Sequence, residues 1–400
     1  MERSARIPGE TPPTGSATYD ATADRVANSN RIAEIDVLRG IAIAGVVMRH
    51  VSWQLLTPEN VRSPEGTTIA AACILADVGV SLFVALSAFG LVWRHAQPFD
   101  GIRGWLGFLS SRAARLLPAY VLWSLVSLAA RDVSLLASPR QVASALFSGT
   151  ADVQFYYVPL VFELYILWPL LRPLLAVRTF YGAVLVLAGA IGIAELAWRA
   201  ILPSPGTPLL YLSTAVATGA VLPVFLGDRP SSSNPFAGTN AKHRAAALAS
   251  LAVATAALLV CISRFSAFSP AATTRGALFL VTMMSPAPQA LLNASLIVTL
   301  ALVASPLART RAGAWIAALG RLSYGVFLLH LLVASTLVYR LVAMVTPASA
   351  GAAGVVLRMI FAWLAVLAAS YAVAWGLARL PKLAWTVGIT GNSRTASERR

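Results

Sequence analysis

The chain has 400 residues, of which 58% are hydrophobic and only 12% charged, with a mean hydropathy of +0.72. That charge fraction is about half that of an ordinary soluble domain, which excludes a soluble enzyme and points to an integral membrane protein. The formal net charge of +15 comes from 31 Lys and Arg against 16 Asp and Glu, but the cations are scattered between apolar runs, so they speak for membrane topology and against nucleic acid.

Apolar runs of about 20 residues recur from residue 38 almost to the C-terminus, continuous rather than alternating, and so read as helical spans rather than barrel strands. The expected fold is all-α, a polytopic transmembrane bundle of about 10 spans. They fall near residues 38–57, 69–93, 117–131, 156–171, 180–202, 208–226, 246–264, 289–307, 320–342 and 354–376. Most Arg and Lys residues then lie on the inner side, with Arg49, Arg131 and Arg358 among the minority toward the outer side, so both termini are expected in the cytoplasm. Residues 1–33, rich in Pro, Ser and Thr and without an apolar core, read as a disordered cytoplasmic tail rather than a signal peptide. Residues 34–380 form the membrane domain and 381–400 a basic cytoplasmic tail. Cys73 and Cys261 sit in or beside apolar runs and read as small buried hydrophobes.

The first span carries Asp36, Arg39 and His50 within a stripe of roughly 60° on one helical face. Ionisable groups at such depth are costly and belong in a protein interior or a water-filled cavity. Asp36 and Arg39, spaced i, i+3, either pair with one another at the helix mouth or hold a phosphate arriving from the cytoplasm. His50 lies roughly 20 Å further along the axis. There a neutral imidazole either bonds to a neighbouring helix or takes the proton of a hydroxyl as it attacks an acyl carbonyl.

The basic segment from Arg94 to Arg115 reads as an amphipathic stretch at the inner headgroup level. Within it Arg112 and Arg115 share one helical turn ahead of Pro118, either as topological anchors or as a clamp for a polyphosphate donor. The fourth span carries Glu163 and Tyr165 among aromatics; the carboxylate orients a substrate hydroxyl or pairs with a buried arginine. The stretch 227–245 reads as a turn-rich loop between two halves of the bundle, and 266–288 as room for a re-entrant or additional helix. The ninth span adds Gly320, Ser323, Tyr324 and His330; Gly320 and Ser323 permit close packing, and His330 either braces the helix or shares the chemistry. The four histidines, His95 and His243 being in inner loops, form no metal-ligand pattern.

Four of these elements, in order, resemble the acyltransferase 3 family of bacterial integral-membrane O-acyltransferases. They are Asp36, Leu38, Arg39, Gly40 and His50; the Phe-rich run through Phe83 ending Ser87-Ala88-Phe89; Arg112, Arg115 and Pro118; and Ser323, Tyr324 and His330. The resemblance spans residues 31–380. Two positions depart from it: Ala88 stands where the family has glycine, with Gly90 following closely to serve the close packing, and a lone Glu163 where it often has paired glutamates.

The resemblance implies a stand-alone multi-pass enzyme of the inner membrane, without a fused hydrolase-like domain and without a bound cofactor. It would move an acyl group, expected to be acetyl, from cytoplasmic acyl-CoA as co-substrate to a hydroxyl of a sugar, glycan precursor or polyol. Asp36, Arg39, Arg112 and Arg115 would bind the donor. His50, Glu163 and His330 are the catalytic candidates, by direct transfer with His50 as base or by an acyl-enzyme. Ser87, Tyr165, Ser323 and Tyr324 would be structural or face substrate. The rival reading is a transporter or flippase for a glycan or lipid-linked substrate, in which the same charges line a translocation path; no internal repeat or matched pair of broken spans supports it.

Overall fold

The computed structural model describes residues 32–94, 99–175, 213–226, 236, 241–268, 274, 286–338 and 352–389. Among them every regular element is helical. In chain order these are α1 (Ala33–Leu55), α2 (Pro64–Ala76), α3 (Val78–Arg94), α4 (Gly101–Arg131), α5 (Pro139–Ser148), α6 (Tyr157–Leu175) and α7 (Ser213–Leu226). They continue with α8 (Ala241–Phe268), α9 (Pro286–Ala308), α10 (Arg311–Arg321), α11 (Ser323–Val333) and α12 (Ala352–Arg379). The expected span 180–202, most of the loop 227–245 and most of 266–288 lie outside the described residues.

Among the described residues, five stretches are long and apolar enough to cross a membrane: Pro64–Trp93, Gly101–Arg131, His243–Ala267, Ala287–Ala308 and Ala353–Arg379. A sixth results if α10 and α11, bent by 76° about Leu322, count as one span. The expected ninth span, 320–342, therefore begins at a break instead of running straight through it. The segment 94–115, expected at the membrane surface, supplies from Gly101 onward the first half of α4, which continues past Pro118 to Arg131. The expected second span is two helices meeting at Asp77.

Helix α1 is not among the five, because its charged residues lower its apolarity, and its position explains how it tolerates them. It packs against α2, α3, α9, α10, α11 and α12, and Val37, Leu38, Ala42, Ile43, Val46, Val47 and Val51 are at most 1% exposed. A helix surrounded by protein has no lipid-facing side to keep apolar.

Glycine sets its closest crossings. A Cβ on Gly320 would collide with the carbonyl of Asp36, and one on Gly40 with the carbonyl of Ile316, so α10 crosses α1 backbone to backbone at the Leu38-Arg39-Gly40 motif. Gly45 and Gly79 make a similar approach between α1 and α3. Small residues permit such contact between membrane helices. Gly90 does not serve this purpose: a Cβ there would meet nothing within 4 Å, whereas Ala85 receives the close approach of Gly219 from α7.

Two groups of buried side chains divide the bundle along α1. Leu38 and Ala42 pack with Phe89, Phe108, Leu164, Tyr165 and Trp168. Ile43, Val46, Val47 and Val51 pack with Tyr120, Phe155, Val158 and Phe327. Helix α6 thus runs antiparallel to α1, and α4 places Phe108 in the first group and Tyr120 in the second. The far side of the final helix is closed by a 3-10 turn, Ala384–Val387, within the stretch expected as a tail. Trp123 Nε1 donates to the Thr386 carbonyl at 2.8 Å, and Gly388, at φ +78°, lets the chain turn over the Tyr324 ring.

Candidate active site

The two membrane histidines meet. The rings of His50 on α1 and His330 on α11 lie with centroids 5.2 Å apart and planes inclined by 44°. The α10–α11 bend produces this contact: α10 grips α1 at its polar mouth, and the turn at Leu322 then sends α11 along α1 toward His50.

His330 is fully buried. Its Nδ1 lies 2.7 Å from the Phe327 carbonyl, an acceptor only, so Nδ1 carries the proton and, in the neutral ring, Nε2 presents a lone pair. Nε2 has no hydrogen-bond partner. His50 is half-buried. The pair therefore combines one half-buried residue with one ring oriented by the backbone. A chain of ring contacts extends from it: Phe327 to His330 at 6.0 Å, Tyr157 to Phe327 at 5.3 Å and Phe83 to Tyr157 at 5.9 Å.

At the other end of α1, Asp36 is 4% exposed while Arg39 turns outward, with Nη1 3.9 Å from Asp36 Oδ1. The i, i+3 pair is thus made. Near the same end of the bundle, the Arg112 guanidinium sits between two rings, 5.2 Å from the Phe108 centroid and 5.7 Å from that of Tyr165. Aromatic faces hold a guanidinium in place without consuming its hydrogen-bond donors. Arg112 Nε is buried without a hydrogen-bond partner, and Trp105 Nε1 donates to the Tyr165 carbonyl at 3.4 Å. Arg115, one turn on, is exposed.

Of the remaining expected residues, Tyr324 donates its hydroxyl to the Leu116 carbonyl at 2.7 Å, tying α11 to α4 between Arg112 and Pro118. Ser323 is buried beside the bend. Ser87 returns its hydroxyl to the Phe83 carbonyl of its own helix at 3.0 Å. Glu163 is the one of the three catalytic candidates that the structure does not bring to the His50–His330 pair: it lies on the exposed side of α6. The buried side of α6 is set by Leu160, Val161, Leu164, Tyr165 and Trp168, which leaves residue 163 facing away.

A polar network lies next to His50 that no motif in the sequence announces. Arg49 Nε lies 3.6 Å from Asp77 Oδ1 and its Nη1 donates to Cys73 Sγ at 2.6 Å. Asn293 Nδ2 donates to Asp77 Oδ2 at 3.3 Å and to Ser81 Oγ at 2.9 Å, and Gln289 Nε2 donates to Asn293 Oδ1 at 3.1 Å. The network fastens α1 to the α2–α3 break and to α9, one residue from His50. Asp77 is the one acidic residue between Glu65 and Asp100, a signal available in the sequence. Among the described residues no group of His, Cys, Asp and Glu suits a metal ion.

A membrane-embedded helical bundle with a histidine in the last third of its central helix meeting a second on a neighbouring helix, and arginines toward the other end, is built for polar chemistry inside an apolar shell. A family model described as an acyltransferase domain matches residues 32–379, and the chain belongs to this acyltransferase 3 family. It is accordingly a membrane acyltransferase, moving groups other than aminoacyl groups. No curated protein and no solved structure matches it.

Proposed function

We propose that the protein transfers an acyl group, acetyl in the simplest case, from cytoplasmic acyl-CoA to a hydroxyl of a sugar, glycan precursor or polyol. The observation that carries this reading is the contact between His50 and His330 inside a chain of acyltransferase kind. A neutral imidazole takes the hydroxyl proton as that oxygen attacks the thioester carbonyl. The tetrahedral adduct then expels the CoA thiolate, which recovers the proton from the imidazolium, leaving an ester and free CoA. His50 is the base in this scheme, and His330, held by its Nδ1–H bond, orients or relays for it.

Donor phosphates would engage Arg112, Arg115 and Arg39 at the end of the bundle that the charge distribution assigns to the cytoplasm. Aromatic support of Arg112 suits that task, because phosphate recognition requires the guanidinium's hydrogen-bond donors to be available. Both termini would lie in the cytoplasm, and the protein would reside in the bacterial inner membrane. Glu163 is not assigned a catalytic part, given its place on α6.

The test is the purified protein in lipid with radiolabelled acetyl-CoA, with and without a panel of glycosides. Acceptor-stimulated loss of the thioester, with label appearing in an ester, supports the reading. Thioester left intact with every glycoside overturns it, as does a His50→Ala variant that acetylates at the normal rate.

A further inference from the structure

Helix α10 has two unlike faces. At about 100° per residue, Gly313, Ala317 and Gly320 fall on one side, and these are its buried residues. Protein occupies that side: Ile316 meets Gly40, Gly320 meets the Asp36 carbonyl, and the Leu307 carbonyl closes over Gly313. Arg311 and Trp315, spaced i, i+4, fall on the opposite side, roughly 180° away. Trp315 is 79% exposed. Arg309 in the turn before the helix, Arg311 at its first residue and Arg321 at its last are exposed as well.

No carboxylate answers these cations. None of the three arginines makes an ion pair among the described residues, and the chain contains no Asp or Glu between Asp228 and Glu398. On the facing helix α1, Glu34 and Asp36 are 7% and 4% exposed, and Asp36 is paired with Arg39. The outward face of α10 is therefore cationic and aromatic together, and its charge is left for something outside the chain.

The neighbouring helices fix where that face lies. Helix α9 belongs to a stretch long and apolar enough to cross a membrane and ends at Ala308, while α10 begins at Arg311. Arg309 and Arg311 thus stand where a span leaves the bilayer. After α10 the chain bends by 76° into the predominantly apolar α11. Helix α10 sits at a membrane–water boundary, at the same end of the bundle as the Asp36–Arg39 mouth. At that depth an indole ring is favoured, and arginines beside it meet lipid phosphates.

We propose that the outward face of α10 docks on anionic phospholipid, with Trp315 among the headgroups and Arg309, Arg311 and Arg321 against their phosphates. Lipid is favoured over an acidic protein partner because the helix is held at the boundary by a membrane span on one side and the apolar α11 on the other. The opposite face of α10 grips α1 beside Asp36, and its continuation α11 carries His330. Lipid would thus brace from outside the helix that sets both the polar mouth and the histidine contact, whichever acyl group and acceptor the protein uses.

The experiment uses the full chain in vesicles of equal parts phosphatidylcholine and phosphatidylglycerol, prepared in two forms that differ only in which lipid carries brominated acyl chains. Bromine quenches indole emission at short range, and the difference between the parent and Trp315→Phe isolates the emission of Trp315 from that of the other tryptophans. Quenching of this component should be severalfold stronger when phosphatidylglycerol carries the bromine, as expected of cationic side chains at an anionic surface. Combining Arg309→Gln, Arg311→Gln and Arg321→Gln should bring the two forms level. Molar salt should do the same to the parent protein, a readout that does not depend on how the triple variant folds. Acetyl-CoA affinity should be unchanged in the triple variant. Equal quenching of the parent in the two forms overturns the proposal, and so does a Trp315 component that neither lipid quenches, which would put the ring in water. A triple variant that keeps the lipid preference but binds acetyl-CoA more weakly also overturns it, and assigns the arginines to the donor.

Discussion

His50 and His330 lie 5.2 Å apart between ring centroids, and His330 is oriented from behind by the Phe327 carbonyl at 2.7 Å. If the rings act as a unit, their removal is not additive. His50→Ala should lower kcat by about 10²–10⁴ with acetyl-CoA binding intact, the range for loss of a general base. The double variant His50→Ala/His330→Ala should be no slower than His50→Ala, which single-turnover kinetics in lipid will read.

Gly320 admits no side chain, because a Cβ would meet the Asp36 carbonyl. Gly320→Val should destabilise the bundle by about 1–3 kcal/mol or more, as overpacking does, and should raise the acetyl-CoA KM by displacing α10 from the Asp36–Arg39 mouth. Gly90→Ala is the control. It has open space around it, and should be neutral or gain about 0.5–1 kcal/mol from reduced backbone entropy. Thermal melts of both in one lipid mixture compare them.

The Arg49–Asp77 pair is 3.6 Å apart, each side chain 14% exposed. Removing one partner leaves an uncompensated buried charge, at a cost of about 3–5 kcal/mol. Arg49→Met or Asp77→Leu alone should therefore be more damaging than the two together. Unfolding in graded detergent mixtures provides the double-mutant cycle.

Arg112 is held between Phe108 and Tyr165, whereas Arg115 is exposed. Arg112→Lys should raise the acetyl-CoA KM severalfold despite conserving the charge, because an ammonium does not reproduce the stacked, planar fork. Arg115→Ala should have the smaller effect. Initial rates at varied acetyl-CoA decide between the two.

Tyr324→Phe removes the hydroxyl bonded to the Leu116 carbonyl at 2.7 Å. The expected loss is about 1 kcal/mol of stability, the usual net worth of one such bond. Acetyl-CoA KM should hold, which distinguishes a strut from a substrate contact in a melt paired with kinetics.

Much of this site was legible in the sequence because ionisable residues stand out in apolar runs. The motif around Asp36, Arg39 and His50, the Arg112–Arg115 turn and the Ser323-Tyr324 helix all occupy the bundle interior or its mouth. Glu163 stood out by the same rule, yet its helix buries the neighbouring faces and leaves residue 163 outside. Gly90 was the nearer glycine to Ser87, but the close approach falls at Ala85. Asp77 is not marked by the sequence as part of a pair, because Arg49, its partner, reads there as a topological charge. Hydropathy also missed how α1 survives its charges, since a scale averaged along one helix contains nothing of that helix's neighbours.

The sequence by itself determined the membrane class, the helical content and the identity of the polar residues, since these follow from composition, run length and local periodicity. Which residues meet was decided only by tertiary structure. His50 and His330 are brought together by a 76° bend at Leu322 and by the α10–α1 crossing at Gly320. Pairing distant side chains depends on how helices cross and which faces they bury, and those are properties of several segments at once.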